Sequence, residues 1–199
     1  MRTQPFSWSA VPGFVLPIEA RRLYETFPTE GFESVTPGIR SKKAYRMNKR
    51  RVLGLGEPPK TSGLSGAWRE LIHAVLDESY TEAVAAYCGL HLDASLMEIT
   101  LNRHPAECFV SPHVDHEEKA VTQLIYFNET WDPSWGGCLR ILREPSEGAV
   151  VEEIPPTLGV TAFIVRSSES WHAVTEISPR ARYPRMSLEV EFWNRRRTA

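Results

Sequence analysis

Along the second half of the chain, apolar and polar residues alternate. Leu96–Arg103 trades them position by position, and short strand-forming runs follow at Cys108–Val110, Ala120–Phe127, Cys138–Leu142, Ala149–Glu153, Val160–Val165, Trp171–Val174 and Met186–Trp193. A period of two predicts strands, and Asp132-Pro133, Gly136-Gly137 and Pro155-Pro156 supply turns between many of them. Before residue 95 the period is helical. Trp68, Leu71/Ile72, Val75/Leu76, Tyr80, Val84 and Tyr87 predict one helix from Ser65 to Tyr87, with Gly89 as its stop. A shorter helix is expected from Pro17 to Phe27, because proline suits a first turn and Pro28 ends it. Residues 31 to 64 show little periodicity and read as loop, with one edge strand near Tyr45. Roughly eight short strands with no helix between them call for a closed or two-sheet β architecture, braced on one side by the helices. The expected fold is mainly β, a jelly roll. One domain spans 1–199, with 1–94 as helical and loop support that shapes substrate and 95–193 as the β core.

Composition narrows the function classes more than the fold. With 42% hydrophobic and 24% charged residues the chain reads as an ordinary soluble globular protein. A formal net charge of -2 gives no global attraction to nucleic acid or to an anionic membrane. No apolar run approaches the ~20 residues of a membrane span. The start, Met1-Arg-Thr-Gln-Pro-Phe6, lacks the layout of a secretion signal. Cys88, Cys108 and Cys138 are an odd, widely spaced set, which reads as reduced thiols in a cytoplasmic protein.

The candidate chemistry gathers on a few positions. In Ser111-Pro-His-Val-Asp-His116, His113 and Asp115 lie two apart and leave the same face of an extended chain. His172, in a late strand, would complete two imidazoles and a carboxylate, a set that holds Fe(II) on one side and leaves the rest of its coordination sphere open. A lone His-x-Asp also arises by chance on surface loops. His116 is a rival ligand, but adjacent extended positions face opposite ways. Arg185 and Ser187 share a face of the last strand; inside a barrel that arginine needs an anionic partner, whereas at a strand entrance it is an ordinary surface residue. Arg182, before Pro184, is its less favourable rival. Tyr126 sits in an apolar strand and would need a hydroxyl partner if buried. Arg40, Lys42, Lys43, Arg46, Lys49, Arg50 and Arg51 form a basic run, which reads as a solvated face. The sharper alternative has Tyr45, Arg46 and Arg50 reaching over the metal to hold an anionic substrate group. His73 reads as a packing or surface histidine, and Gly54-Leu-Gly56 is too short for a nucleotide loop.

Taken together, His113-Val-Asp115, Val121–Asn128, Trp131–Arg140, His172 and Arg185–Trp193 resemble the Fe(II)/2-oxoglutarate-dependent dioxygenases. The likeness is greatest to the prolyl-hydroxylase-like branch and to small bacterial relatives that act on amino acid derivatives. The resemblance implies a double-stranded β-helix of the cupin-like kind, with Fe(II) on His113, Asp115 and His172. It implies 2-oxoglutarate and O₂ as cosubstrates, with Arg185 on the distal carboxylate of 2-oxoglutarate, helped by Tyr126 and Ser187, and Leu139 lining that pocket. His104 stands where a tyrosine is frequent in that family, so its part in the site is open. Trp135 is a candidate substrate residue, as are Trp131 and Trp171, though packing also accounts for each. Retention of Asp115 points to hydroxylation or a related oxidation such as desaturation, because related halogenases carry Gly or Ala there. The expected substrate is a small anionic amino acid derivative or natural-product intermediate, oxidised with release of succinate and CO₂. A prolyl-type protein hydroxylase and a non-catalytic metal-binding sensor are the alternatives.

Overall fold

The computed structural model describes residues 1–37 and 44–194. Arg40, Lys42 and Lys43 of the basic run lie outside the described residues. In chain order the elements are β1 (Trp8–Val11), α1 (Pro17–Glu25), β2 (Glu33–Val35), β3 (Tyr45–Leu53), α2 (Gly66–Leu76), α3 (Glu78–Cys88), β4 (Met97–His104), β5 (Phe109–His113), β6 (Lys119–Tyr126), β7 (Leu139–Leu142), β8 (Val150–Ile154), β9 (Thr161–Val165), β10 (His172–Val174) and β11 (Arg185–Trp193).

Every strand pairing is antiparallel. The larger sheet runs β1-β9-β6-β11-β4-β3, with β2 on the free flank of β3. The smaller runs β5-β10-β7-β8. β3 joins the two: Lys49–Leu53 pair with β4, while Tyr45 and Arg46 pair with β5. At the other end Arg2 reaches Glu152 of β8 at 2.7 Å, so the flanks approach each other. The result is a double-stranded β-helix, as expected.

Alternation in the central strands separates two cores. On β11, Leu188, Val190 and Phe192 face the helices, where Trp68, Phe27, Ile72, Ile99, Leu101, Val121 and Phe127 form the larger cluster. The Trp68 ring meets Phe27 and Phe127 edge-on at 5.1 and 4.9 Å, and its indole N–H donates to the Leu23 carbonyl. The opposite residues of the same strands enter the space between the sheets. There Trp8, Leu124, Tyr126, Leu139, Ile141, Ile154 and Ile164 form a second, smaller cluster.

Several elements differ from expectation. The predicted single helix is broken at Asp77, whose backbone is extended (φ -69°, ψ 139°) and whose carboxylate accepts from the Ser79 N–H at 3.0 Å. That cap starts α3 afresh. The expected loop also holds β2, and the strand expected near Tyr45 is present as the nine-residue β3, but as an interior strand and not an edge. Its residues are polar on both faces (Tyr45, Met47, Lys49, Arg51 against Arg46, Asn48, Arg50, Val52), so no period of two shows. β1 is four residues long and pairs with β9, too short to register as a pattern.

Candidate metal centre

The ends of two neighbouring strands bring the imidazoles together. His113 closes β5 and His172 opens β10, and the antiparallel register sets them directly opposite each other, with ring centroids 4.2 Å apart. Asp115 follows in the turn after β5. One ligand atom from each of the three residues lies within 4.8 Å of the others, and all three side chains are buried. Each imidazole Nδ1 sits at a backbone carbonyl, His113 at Ser111 (3.0 Å) and His172 at Ser170 (2.9 Å). Nδ1–H therefore donates outward, and each Nε2 lone pair points at Asp115. The Nε2 atoms lie 3.6 and 3.9 Å from the two carboxylate oxygens.

Both oxygens of Asp115 are also held from behind. Thr122 Oγ1 donates to Oδ2 at 2.9 Å, and Lys119 Nζ reaches Oδ1 at 3.2 Å. Burial works to raise this carboxyl, but the Lys119 ammonium, joined by His113 and His172 whenever their rings are protonated, outweighs it and holds the group well below the ordinary carboxylate range. Two neutral imidazoles and an ionised carboxylate converging on one point are a donor set for a divalent first-row metal, and among the described residues no fourth protein ligand closes the sphere. Thr122→Val should loosen the carboxylate and weaken metal binding by about 10–100-fold, the usual effect of losing an outer hydrogen-bond partner. Titration with Mn(II) measures this; unchanged affinity would leave Lys119 as the sole support of Asp115.

Deeper in the same cavity is Arg185, only 1% exposed. Its Nε donates to the Gly137 carbonyl at 2.8 Å, Nη1 to Ser187 Oγ at 3.4 Å, and the guanidinium lies 5.1 Å over the Tyr126 ring. Two neighbours make that seat possible. Gly137 adopts φ +69°, and a Cβ there would meet Trp131 at 2.8 Å. Asn128 grips the backbone on both sides of Arg185, donating to the Pro184 carbonyl and accepting from the Met186 N–H. Arg185 has no carboxylate partner among its contacts, and Nη2 has no hydrogen bond. Tyr126 Oη and His104 Nε2, from the strands flanking β11, are likewise buried and unpartnered. Burial, then Arg185 and Lys49, push the His104 imidazole down to about 3, so it is neutral. A buried cation beside two unused polar atoms fits the carboxylate of a bound cosubstrate, and one such group would satisfy unpaired charge and empty hydrogen-bond positions together. Leu139, Leu124 and Ile164 line the rest of the wall.

The chain's charged groups continue outward along β11. Arg185, Ser187, Glu189 and Glu191 all face the cavity side at alternate positions. Glu189 meets Lys49 at 3.3 Å and accepts from Asn102 at 3.0 Å; Glu191 pairs with Lys119. Burial works to raise both carboxyls. Lys49, Lys119 and Asn102 outweigh it at Glu189 and hold it low, while at Glu191 the charge of Glu189 adds to burial and the group rises. Sequence reasoning missed this set. Its visible signal was the pair Glu189 and Glu191 at even spacing from Arg185 in an otherwise apolar strand.

Other candidates are placed elsewhere. Arg46 pairs with Glu107 at 2.6 Å on the surface, and Arg50 donates to the carbonyls of Glu30 and Ser62. Neither joins the triad cavity. Both lie on the face of β3 opposite Met47 and Lys49, which do line it. Tyr45 lines an adjoining outer cleft. Trp135 packs against Trp131 and Tyr183, away from the triad and beside Arg182. His116 is exposed near Glu118 and the Trp193 ring, and is not part of the triad.

Residues 99–193 match the model of the 2OG-Fe(II) oxygenase superfamily. This match, together with the His113-Asp115-His172 triad and the seat of Arg185, supports a 2-oxoglutarate-dependent dioxygenase with Fe(II) and 2-oxoglutarate as its cofactor pair. Among solved structures, the 2OG-Fe(II) oxygenase fold here is similar to a Pseudomonas putida prolyl-4-hydroxylase (20% identity, 94% of this chain and 92% of that one, TM-score 0.68). It is also similar to a Trichoplax adhaerens prolyl hydroxylase in complex with a hypoxia inducible factor peptide fragment (16% identity, 94% and 83%, TM-score 0.61). A third is SnoN, a non-heme alpha ketoglutarate dependent epimerase from nogalamycin biosynthesis (18%, 94% and 77%, TM-score 0.55). No curated protein matches the chain. None of the described helices is long and apolar enough to cross a membrane.

Proposed function

We propose that this oxygenase hydroxylates an unactivated C–H bond of a small molecule, converting 2-oxoglutarate to succinate and CO₂. The observation that carries the reading is the meeting, in one buried cavity, of an open His113-Asp115-His172 triad and the unpaired guanidinium of Arg185. In this reading the three triad residues hold iron, which supplies the activation of O₂ when bound. Arg185, with Ser187, Tyr126 and His104 around it, fixes the distal carboxylate of 2-oxoglutarate and so sets the direction from which it reaches the metal. Leu124, Leu139 and Ile164 keep water from the reacting centre. Residues 95–193 carry this machinery, and residues 1–94 contribute β3 and the helical brace.

The size of the space supports a small substrate. An inner cavity of about 80 Å³ holds the triad, and an outer cleft of about 670 Å³, within the ~300–1,000 Å³ of small-ligand sites, shares Met47, Lys49 and Glu191 with it. Of the basic run, Arg46 and Arg50 are engaged away from the cleft, whereas Lys49 lines it. A peptide substrate is the second reading, favoured by the likeness to a prolyl hydroxylase that binds a peptide fragment. The test is succinate release from 2-oxoglutarate with Fe(II) and O₂, followed by mass-spectrometric screening of small-molecule and peptide pools for a product 16 Da heavier. A peptide product would replace the small-molecule reading; no succinate from any pool would leave a binding module.

A further inference from the structure

The inner cavity and the outer cleft share Met47, Lys49 and Glu191, so one cation and one anion stand where the two spaces meet. Both spaces are balanced in charge. The inner wall sets Lys49, Lys119 and Arg185 against Asp115, Glu189 and Glu191. The outer wall sets Lys49, Arg51 and Lys60 against Glu33, Glu98 and Glu191. A divalent metal and the doubly charged 2-oxoglutarate cancel one another, so the loaded site keeps the same balance. A ligand of net charge would leave that charge without compensation in a buried site. An apolar ligand would strip water from Lys49 and Glu191 and return no hydrogen bonds. Buried ion pairs are also poor stabilisers: matched apolar residues in their place are often neutral or better. Stability alone therefore does not account for the paired charges on this wall.

We infer, resting on the oxygenase reading above, that Lys49 and Glu191 are the specificity-determining residues of the cleft and that the substrate is a zwitterion, its ammonium on Glu191 and its acid on Lys49. The capacity exists in both groups. Lys49 offers three donors and Glu189 accepts only one, at a long 3.3 Å; the Glu191 carboxylate can accept several hydrogen bonds, and only its Oε1 is paired with Lys119. Met47, which lines both spaces with them, gives the carbon skeleton an apolar contact.

The test is equilibrium binding by ligand-observed NMR to the protein loaded with Zn(II) and 2-oxoglutarate. The probes are the twenty free amino acids, their N-acetyl derivatives (acid only) and their primary amides (amine only). At least one free amino acid is expected to bind, with its N-acetyl and amide forms at least tenfold weaker. Glu191→Gln, close to isosteric, should erase the preference over the N-acetyl form, and Lys49→Met the preference over the amide. The inference is overturned if either single-charge form binds as tightly as the zwitterion, if no free amino acid binds, or if both variants keep the wild-type preference. The wild-type series decides even where a variant fails to fold. Succinate release without added substrate tests the oxygenase reading separately, so zwitterion binding without succinate, or the reverse, tells the two failures apart.

Discussion

Asp115→Ala is expected to abolish metal-dependent turnover of 2-oxoglutarate while leaving the fold in place. Asp115 is the only anionic member of the triad, and the metal's charge depends on it for compensation. Losing a direct ligand should weaken Fe(II) or Mn(II) binding by more than the roughly 10–100-fold typical of an outer partner. Succinate release should fall to background with it. His172→Ala should behave in the same way, because its Nε2 faces Asp115 and its Nδ1 is already committed to Ser170. Survival of the fold follows from Lys119, whose ammonium keeps Glu191 as a partner once Asp115 is gone, so no buried cation is stranded. The measurements are metal titration, succinate assay and thermal unfolding of the metal-free protein. His116→Ala is the contrasting variant, exposed and outside the triad, and should bind metal as the wild type does. Wild-type metal affinity in Asp115→Ala would remove the triad from the function; collapse of the metal-free protein would assign Asp115 a structural duty instead.

What the sequence made legible follows the way each feature is encoded. The metal centre needs a local pair, His113 and Asp115, and one partner in a later strand, and both leave a mark in the order of residues. The double-stranded β-helix is equally visible, because β4, β6 and β11 bury one face against helices and alternate accordingly. β3 is visible only in part, as a strand near Tyr45, for the opposite reason: it spans two sheets, carries charge on both faces, and owes its conformation to β4 and β5. The same parity governs the basic run. Lys49 faces the cavity while Arg46 and Arg50 face away, a distinction that exists only once the register with β4 is fixed. Lys119 and Glu191 come from adjacent strands, β6 and β11, and nothing in the spacing of 119 and 191 announces that the register nearly aligns them. Features written as local pattern were readable; features written as cross-strand pairing were not.

Arg185→Ala should raise the 2-oxoglutarate requirement by about 100-fold, since truncating one partner of a buried charge pair costs roughly 2–5 kcal/mol and each 1.4 kcal/mol is a factor of ten. The loss should fall on 2-oxoglutarate and spare the metal, because the triad does not touch Arg185. Stability should escape the loss usual for a large-to-small change in a core. Without cosubstrate the guanidinium is a buried cation whose contacts are a carbonyl, a hydroxyl and an aromatic face, so its removal also relieves an uncompensated charge. The ligand-free variant should therefore unfold near the wild-type temperature, whereas the rise in unfolding temperature that 2-oxoglutarate gives the metal-loaded wild type should nearly vanish. That contrast separates a carboxylate seat from a packing role, which would lower the ligand-free midpoint and leave the ligand-induced shift intact. Arg185→Lys keeps the charge but loses the fork that reaches Gly137 and Ser187 together, and should recover only part of the affinity. An unchanged 2-oxoglutarate requirement in Arg185→Ala would move the seat elsewhere, and Arg182 is poorly placed to take it, lying with Trp131, Trp135 and Tyr183 outside the triad cavity.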